Sequence, residues 1–204
     1  MDFRTAYVVL VSCLMLSCSN EEVIVNYYDS GSIMEKYVAT KDSIKNGWYT
    51  RFSESGDTLE KSNYTLGQLD GARILYYDGN RPEIKEFYVK DSLEGPYYVY
   101  YEEGQVKLMM HYQQNILSDV VTKYYPSGAI MEEVTFENNQ EEGPFTEYYE
   151  NGQKKWEGNY TNGDNEIGLL IHYSETGDTI RKMMCDEKYI CRTIYENDKY
   201  KVSE

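Results

Sequence analysis

Histidine is scarce and tyrosine abundant in this chain of 204 residues, and that contrast sets the chemistry open to it. His111 and His172 are the only histidines. A histidine-rich zinc site or a Ser-His-Asp arrangement needs more than they can offer. Neither Gly-x-Ser-x-Gly nor a phosphate loop nor a dinucleotide fingerprint occurs. With 35 Asp+Glu in the chain, carboxylates come close by number alone, so closeness does not mark a glycosidase acid and base. Asp164, Asn165 and Glu166 lack the ligand order of a calcium loop and read as a solvated turn. The chain is therefore expected to be non-catalytic, with no cofactor and no metal. Cys185 and Cys191 stand close together near the C-terminus, and two readings remain open: a disulfide closing a terminal hairpin, or a pair of free thiols.

The 23 tyrosines are the one constellation that suggests a surface function. They recur with a period. Units begin at Gly47, Gly71, Gly95, Asp119, Gly143 and Gly168, in steps of 24, 24, 24, 24 and 25 residues. Five residues into each unit stands an aromatic: Phe52, Tyr76, Tyr100, Tyr124, Tyr148 and Tyr173. One residue later the four middle units carry Tyr77, Tyr101, Tyr125 and Tyr149. A glycine follows, at Gly56, Gly79, Gly104, Gly128, Gly152 and Gly177, as hairpin turns require. A second strand then runs to Tyr64, Tyr88, Tyr112, Phe136, Tyr160 or Cys185, and its residues alternate with a period of two, as in Trp156, Gly158 and Tyr160. Successive side chains point to opposite faces of a strand. The row from Phe52 to Tyr173, with Trp48, Ile74 and Ile171, is assigned to the core. Tyr77, Tyr101, Tyr125 and Tyr149, sharing parity with Tyr49, Tyr97 and Phe145, become the candidate binding face. Such a row can stack sugars, take up a peptide or pack on a partner; the plainer alternative is cross-strand packing that covers a single-layer sheet.

The pattern Gly-x-aromatic-x-x-Tyr-Tyr-x-x-Gly, seen best from Gly143 to Gln153 and continued by Trp156 to Tyr160, resembles the bacterial variant of the MORN repeat over residues 47 to 190. The resemblance implies an all-β fold: an elongated, twisted antiparallel sheet of tandem hairpins, 12 to 14 strands in all, in which each unit touches mainly its neighbours. Proteins with this repeat variant are often described as antitoxin-like, which makes an antitoxin or immunity role the alternative to a binding or scaffolding module. A glycan-active enzyme has no support beyond abundant Asp and Glu.

Targeting signals are concentrated at the start. Arg4 precedes an apolar run from Ala6 to Leu16, of signal-peptide length and too short to span a bilayer. Met15-Leu16-Ser17-Cys18 resembles the lipobox of bacterial lipoproteins, in which the cysteine becomes the lipidated first residue; Leu10-Val11-Ser12-Cys13 fits the lipobox letters slightly better, but cleavage there would leave only a stub of apolar run and strand Leu14 to Leu16 on the mature chain, so Cys18 is preferred. Glu21 and Glu22, an acidic pair just beyond Cys18, resemble a lipoprotein surface-export signal, with a plain acidic linker as the alternative. Asp42-Ser43-Ile44, Asp57-Thr58-Leu59, Asp91-Ser92-Leu93 and Asp178-Thr179-Ile180 are similar to a periplasmic O-glycosylation motif. The expected organisation is a signal peptide over 1–17, an acidic linker over 18–26, a degenerate leading repeat over 27–46, MORN-like hairpins over 47–190, and a capping strand with a charged tail over 191–204. Such a protein is lipid-anchored in the cell envelope, in the outer membrane and facing the periplasm or the surface, and its partner is an envelope protein or a glycan. Nucleic acid is not expected: a net charge of -15 repels a phosphate backbone.

Overall fold

The computed structural model describes residues 21–201. Among these the chain forms 17 strands, one short 3-10 turn at Asp198–Tyr200, and no α-helix. The leading hairpin is β1 (Glu21–Tyr27) and β2 (Ile33–Thr40). The repeat units follow as β3 (Lys45–Phe52) with β4 (Thr58–Thr65), β5 (Gln68–Tyr77) with β6 (Arg81–Val89), and β7 (Ser92–Leu93) and β8 (Gly95–Tyr100) with β9 (Val106–Gln113). Next come β10 (Ile116–Leu117) and β11 (Asp119–Tyr124) with β12 (Ile130–Glu137), then β13 (Gln140–Tyr148) with β14 (Lys154–Thr161). β15 (Asn165–Tyr173), β16 (Thr179–Cys185) and β17 (Cys191–Glu196) close the chain. Each strand pairs antiparallel with the one before it in the chain, β7 running on into β8 and β10 into β11. The whole is one open meander, with β1 and β17 as its edges.

Two kinds of turn alternate along it. At one end of the strands the turn spans Tyr149 to Gln153: the Tyr149 N–H donates to the Gln153 carbonyl at 2.8 Å, and the Gly152 N–H donates back to Tyr149 at 2.9 Å. Gly152 adopts φ 83° there, which a side chain would resist. At the other end the connection is shorter than the polar sequence suggests. It is a tight turn of two left-handed residues, Leu66-Gly67, Lys90-Asp91, Gln114-Asn115 or Asn138-Asn139, with φ between 48° and 86°, and has a third residue only at Asn162-Gly163-Asp164. The strand after it therefore starts before the unit glycine. Gly143 falls in a bulge, where Val134 faces Phe145 but Phe136 faces Glu141.

Residues 21–26, expected within an acidic linker, form most of β1. The alternation and β-branching of Val23, Ile24 and Val25 prevail over the flanking acids. The short turn at Asp198–Tyr200 lies against Asp178 instead of running along the outer edge of β17: Lys199 Nζ and the Tyr200 hydroxyl reach Asp178 Oδ2 at 2.8 and 2.7 Å.

The core occupies one face, and it is the opposite of the face assigned to it from the aromatic spacing. Tyr49, Val121, Phe145 and Leu170, two residues into their units, are buried, whereas Trp48 is 54% exposed. Parity divides the residues correctly but does not say which side packs. The small residues opposite decide it. Phe145 lies across from Gly158 and Tyr49 across from Ser62, so each ring has room to fold over its neighbour strand. Phe145 then stacks on Tyr160 with centroids 4.2 Å apart, and Val134, Leu170 and Cys185 complete the apolar cluster. A Cβ on Gly158 would sit 2.9 Å from Phe145 Cε1 and closer still to Leu170 Cδ2. Gly158→Ala is thus expected to destabilise the protein by about 1–3 kcal/mol through overpacking, read as a lower midpoint in urea.

Candidate binding surface

The tyrosine row marked out as a binding face lies on the packed side and bonds to the protein itself. The Tyr77 hydroxyl donates to the carbonyl of Tyr100 at 2.9 Å, and Tyr101 to that of Tyr124, Tyr125 to that of Tyr148 and Tyr149 to that of Tyr173, each at 2.8 Å. Tyr28 makes the same bond to Phe52 at 2.7 Å, which makes the leading hairpin a genuine member of the series. The rings are half-buried and their polar tips are engaged, so the row ties each unit to the next. This corrects the reading of Tyr77, Tyr101, Tyr125 and Tyr149 as free recognition groups. A turn carbonyl beyond the end of the ladder needs a donor, and the hydroxyl one unit back supplies it.

The tight turns carry a second set of ties. Asn115 Oδ1 accepts from the Leu93 N–H at 2.8 Å while the Asn115 N–H donates to the Leu93 carbonyl at 3.0 Å; Asp91 with Leu69, and Asn139 with Leu117, repeat the exchange.

A buried charged cluster sits where the other units carry core residues. Arg73, two residues into its unit, donates from Nε to Glu60 Oε1 at 2.7 Å and from Nη1 to Glu86 Oε1 at 2.8 Å. Ser62 and Tyr88 add donors at 2.7 and 3.0 Å. Glu60 and Glu86 are buried, 8% and 5% exposed, so the pair of acids depends on the arginine. Burial alone would raise the Glu60 carboxyl, but bonds from Arg73 and Ser62 and the charges of Arg73 and Arg51 hold it below the usual carboxylate range. Burial and the neighbouring Glu86 push the Tyr88 hydroxyl up to about 12. This cluster was not foreseen. Its signal is a basic residue, Arg73, at a position that otherwise holds Tyr49, Tyr97, Val121, Phe145 and Leu170, with acids on both neighbouring strands.

Neither histidine forms a site. His111 is exposed, and His172 stacks flat on Trp156 at 4.2 Å with its pKa lowered by burial and by the nearby Arg181 and Lys155. Cys185 and Cys191 face each other across β16 and β17 and are joined as a disulfide. Glu166 lies 3.5 Å from Cys191 Sγ; with the thiols joined to each other, these three residues do not form a metal site. Cys18 lies outside the described residues.

What remains accessible is the other face. Its residues include Trp48, Val120, Leu169 and Met184, exposed by 40 to 54%. The strands beneath have their backbone groups paired in the ladder, so side chains alone are on offer. Comparison with known families then settles the repeat. The MORN repeat variant matches at residues 93–114, 120–138 and 141–162. These segments are MORN repeats. The match falls on the units from Gly95, Asp119 and Gly143, and the same tyrosine ties extend the series to both sides of it. No curated protein matches the chain. MORN repeats suggest a repeat-based binding module, and the family's repeats are generally non-enzymatic.

Replacing Arg73 by Met leaves two buried carboxylates without the guanidinium that bridges them, at an expected cost of about 3–5 kcal/mol at neutral pH. Because the folded-state pKa of Glu60 is depressed, its contribution is present above the ordinary carboxylate pKa and is lost as pH falls through the folded value. The deficit of the Met variant relative to wild type should therefore persist from neutral pH down to about pH 4 and shrink as the pH falls below it, as read by urea denaturation; a deficit that stays constant below about pH 4 contradicts the assignment.

Proposed function

We propose that the protein is a non-catalytic binding or scaffolding module held at the cell envelope by lipid on Cys18, with its MORN sheet presented to an envelope protein or glycan. The observation that carries the binding half is the division of labour between the two faces. One face is closed by Tyr49, Phe145, Leu170 and the tyrosine ties, and the other is open, with exposed Trp48, Val120 and Leu169 repeating along it. A single-layer sheet of local hairpins gives a long surface of this kind without a catalytic cleft. The lipobox-like end of the apolar leader supports the anchoring half, and a disulfide between Cys185 and Cys191 suits an oxidising compartment.

Fractionation of cells tests the anchoring directly. The wild-type protein is expected in the membrane fraction and labelled by a fatty-acid analogue, and Cys18→Ala should abolish both. Soluble, unlabelled wild-type protein would sink the proposal.

A further inference from the structure

On the open face, the residue fourteen positions into the unit changes from basic to acidic over the first five units, Lys61, Lys85, Met109, Glu133 and Glu157, and returns to a cation, Lys182, in the sixth. At the acidic end the next unit's tyrosine answers it. The Tyr148 hydroxyl donates to Glu133 at 2.8 Å and the Tyr173 hydroxyl to Glu157. At the basic end no tyrosine hydroxyl does, though Lys85 Nζ lies over the Phe87 ring at 5.2 Å. Lys61 and Lys85 take part in none of the ion pairs among the described residues. Tyr76 and Tyr100, the counterparts of Tyr148 and Tyr173, have lysines for neighbours, since Lys61 and Lys85 stand where Glu133 and Glu157 do. None of the hydrogen bonds found among the described residues uses the Tyr76 hydroxyl. Between the first two units these residues border a groove of about 410 Å³ lined by Trp48, Thr50, Lys61, Ile74 and Tyr76. Trp48 is 54% exposed beside it, an unusual placement for the largest apolar side chain.

The contents of the groove define what fits. A half-exposed indole offers a flat apolar platform with a polar edge. Thr50 and Tyr76 bring hydroxyls that both donate and accept. Lys61 brings a cation in a protein of net charge -15, so an anion is attracted here against the field of the rest of the molecule. A peptide strand would seek unpaired backbone groups, but here Trp48 pairs with Asn63, Thr50 with Lys61 and Lys61 with Ile74 inside the ladder. A ring with one apolar face and a rim of hydroxyls needs no such groups. We propose that the Trp48–Lys61–Tyr76 groove binds a carboxylate-bearing sugar unit of a glycan, its ring on the Trp48 indole, its carboxylate on Lys61 Nζ, and its hydroxyls on Thr50 and Tyr76. This gives the binding module a ligand class and rests on that reading. Lys85 stands two strands further on, about 10 Å away, where it meets the next acidic unit of a chain laid across the face.

The test is titration of the full-length protein in detergent with trimers of galacturonate, glucuronate and mannuronate, followed by tryptophan fluorescence and calorimetry. Their neutral methyl esters and hexaglutamate serve as comparisons. At least one trimer is expected to bind saturably, with affinity reduced about tenfold or more by esterification and by Lys61→Gln, since a hydrogen bond to a charged group is lost. Trp48→Ala should weaken binding as much; it leaves the packed face untouched, and circular dichroism checks that the sheet persists. Absence of saturable binding by all three trimers overturns the proposal. So does equal binding of the esters, equal binding of hexaglutamate, or an affinity unchanged in both variants. A protein that fractionates with the membrane but ignores every trimer loses this ligand class and keeps the anchored module.

Discussion

The structure depends on one recurring bond, from a tyrosine hydroxyl to the turn carbonyl of the next unit. A sheet one layer thick cannot bury its strands against a second layer, so each hairpin has to be held by its neighbours. The ladder does most of that, but it ends at the wide turns, where a carbonyl is left without a strand partner. Tyr28, Tyr77, Tyr101, Tyr125 and Tyr149 each close one such gap, at 2.7 to 2.9 Å. Phenylalanine has no hydroxyl to do this, which gives a physical reason for 23 tyrosines against 5 phenylalanines. Where the first unit has Ser53 in the place of that tyrosine, the serine caps its own turn instead, accepting from Asp57 at 3.0 Å. The junction is then bridged by Asn80, which accepts from the Thr58 N–H at 2.8 Å.

Within this frame the packed face solves the same positions in two ways. Towards the C-terminus it is apolar, with Phe145 folded over Gly158 and Leu170 filling the far side. Nearer the N-terminus Arg73 occupies the equivalent of Phe145 and is held between Glu60 and Glu86. Burying three charges costs solvation that only close hydrogen bonds can offset, and every one of the three has such bonds here. The open face carries the variation that the packed face cannot tolerate. Its central row runs from lysine to glutamate and back to lysine without disturbing the strands, so adjacent stretches of one sheet present different chemistry.

Much of this was legible in the residues. The 24-residue step, the turn glycines and the two-residue alternation lead directly to antiparallel hairpins, because each reflects a local backbone requirement. Which face packs was not legible, since Trp48 and Tyr49 are both large aromatics and alternation says only that they part. The answer lay in the small partners Gly158 and Ser62 across the strand, a pairing that depends on register. The Arg73 cluster was hidden for a similar reason: among so many carboxylates, Glu60 and Glu86 gain meaning only once the ladder sets them on either side of an arginine. The tyrosine ties link residues 23 or 24 apart, one period, so the repeat itself contained them, but a hydroxyl aimed at a carbonyl looks the same in sequence as one aimed at a ligand.

The most direct measurement replaces Tyr77, Tyr101, Tyr125 and Tyr149 by phenylalanine, singly and together, and follows unfolding in urea. Removing one hydroxyl while keeping its ring should cost about 1 kcal/mol, and the four together should cost several times that and make unfolding less cooperative, because the units lose their coupling. A quadruple variant as stable and as cooperative as the wild type would contradict the account and return those hydroxyls to the surface as recognition groups.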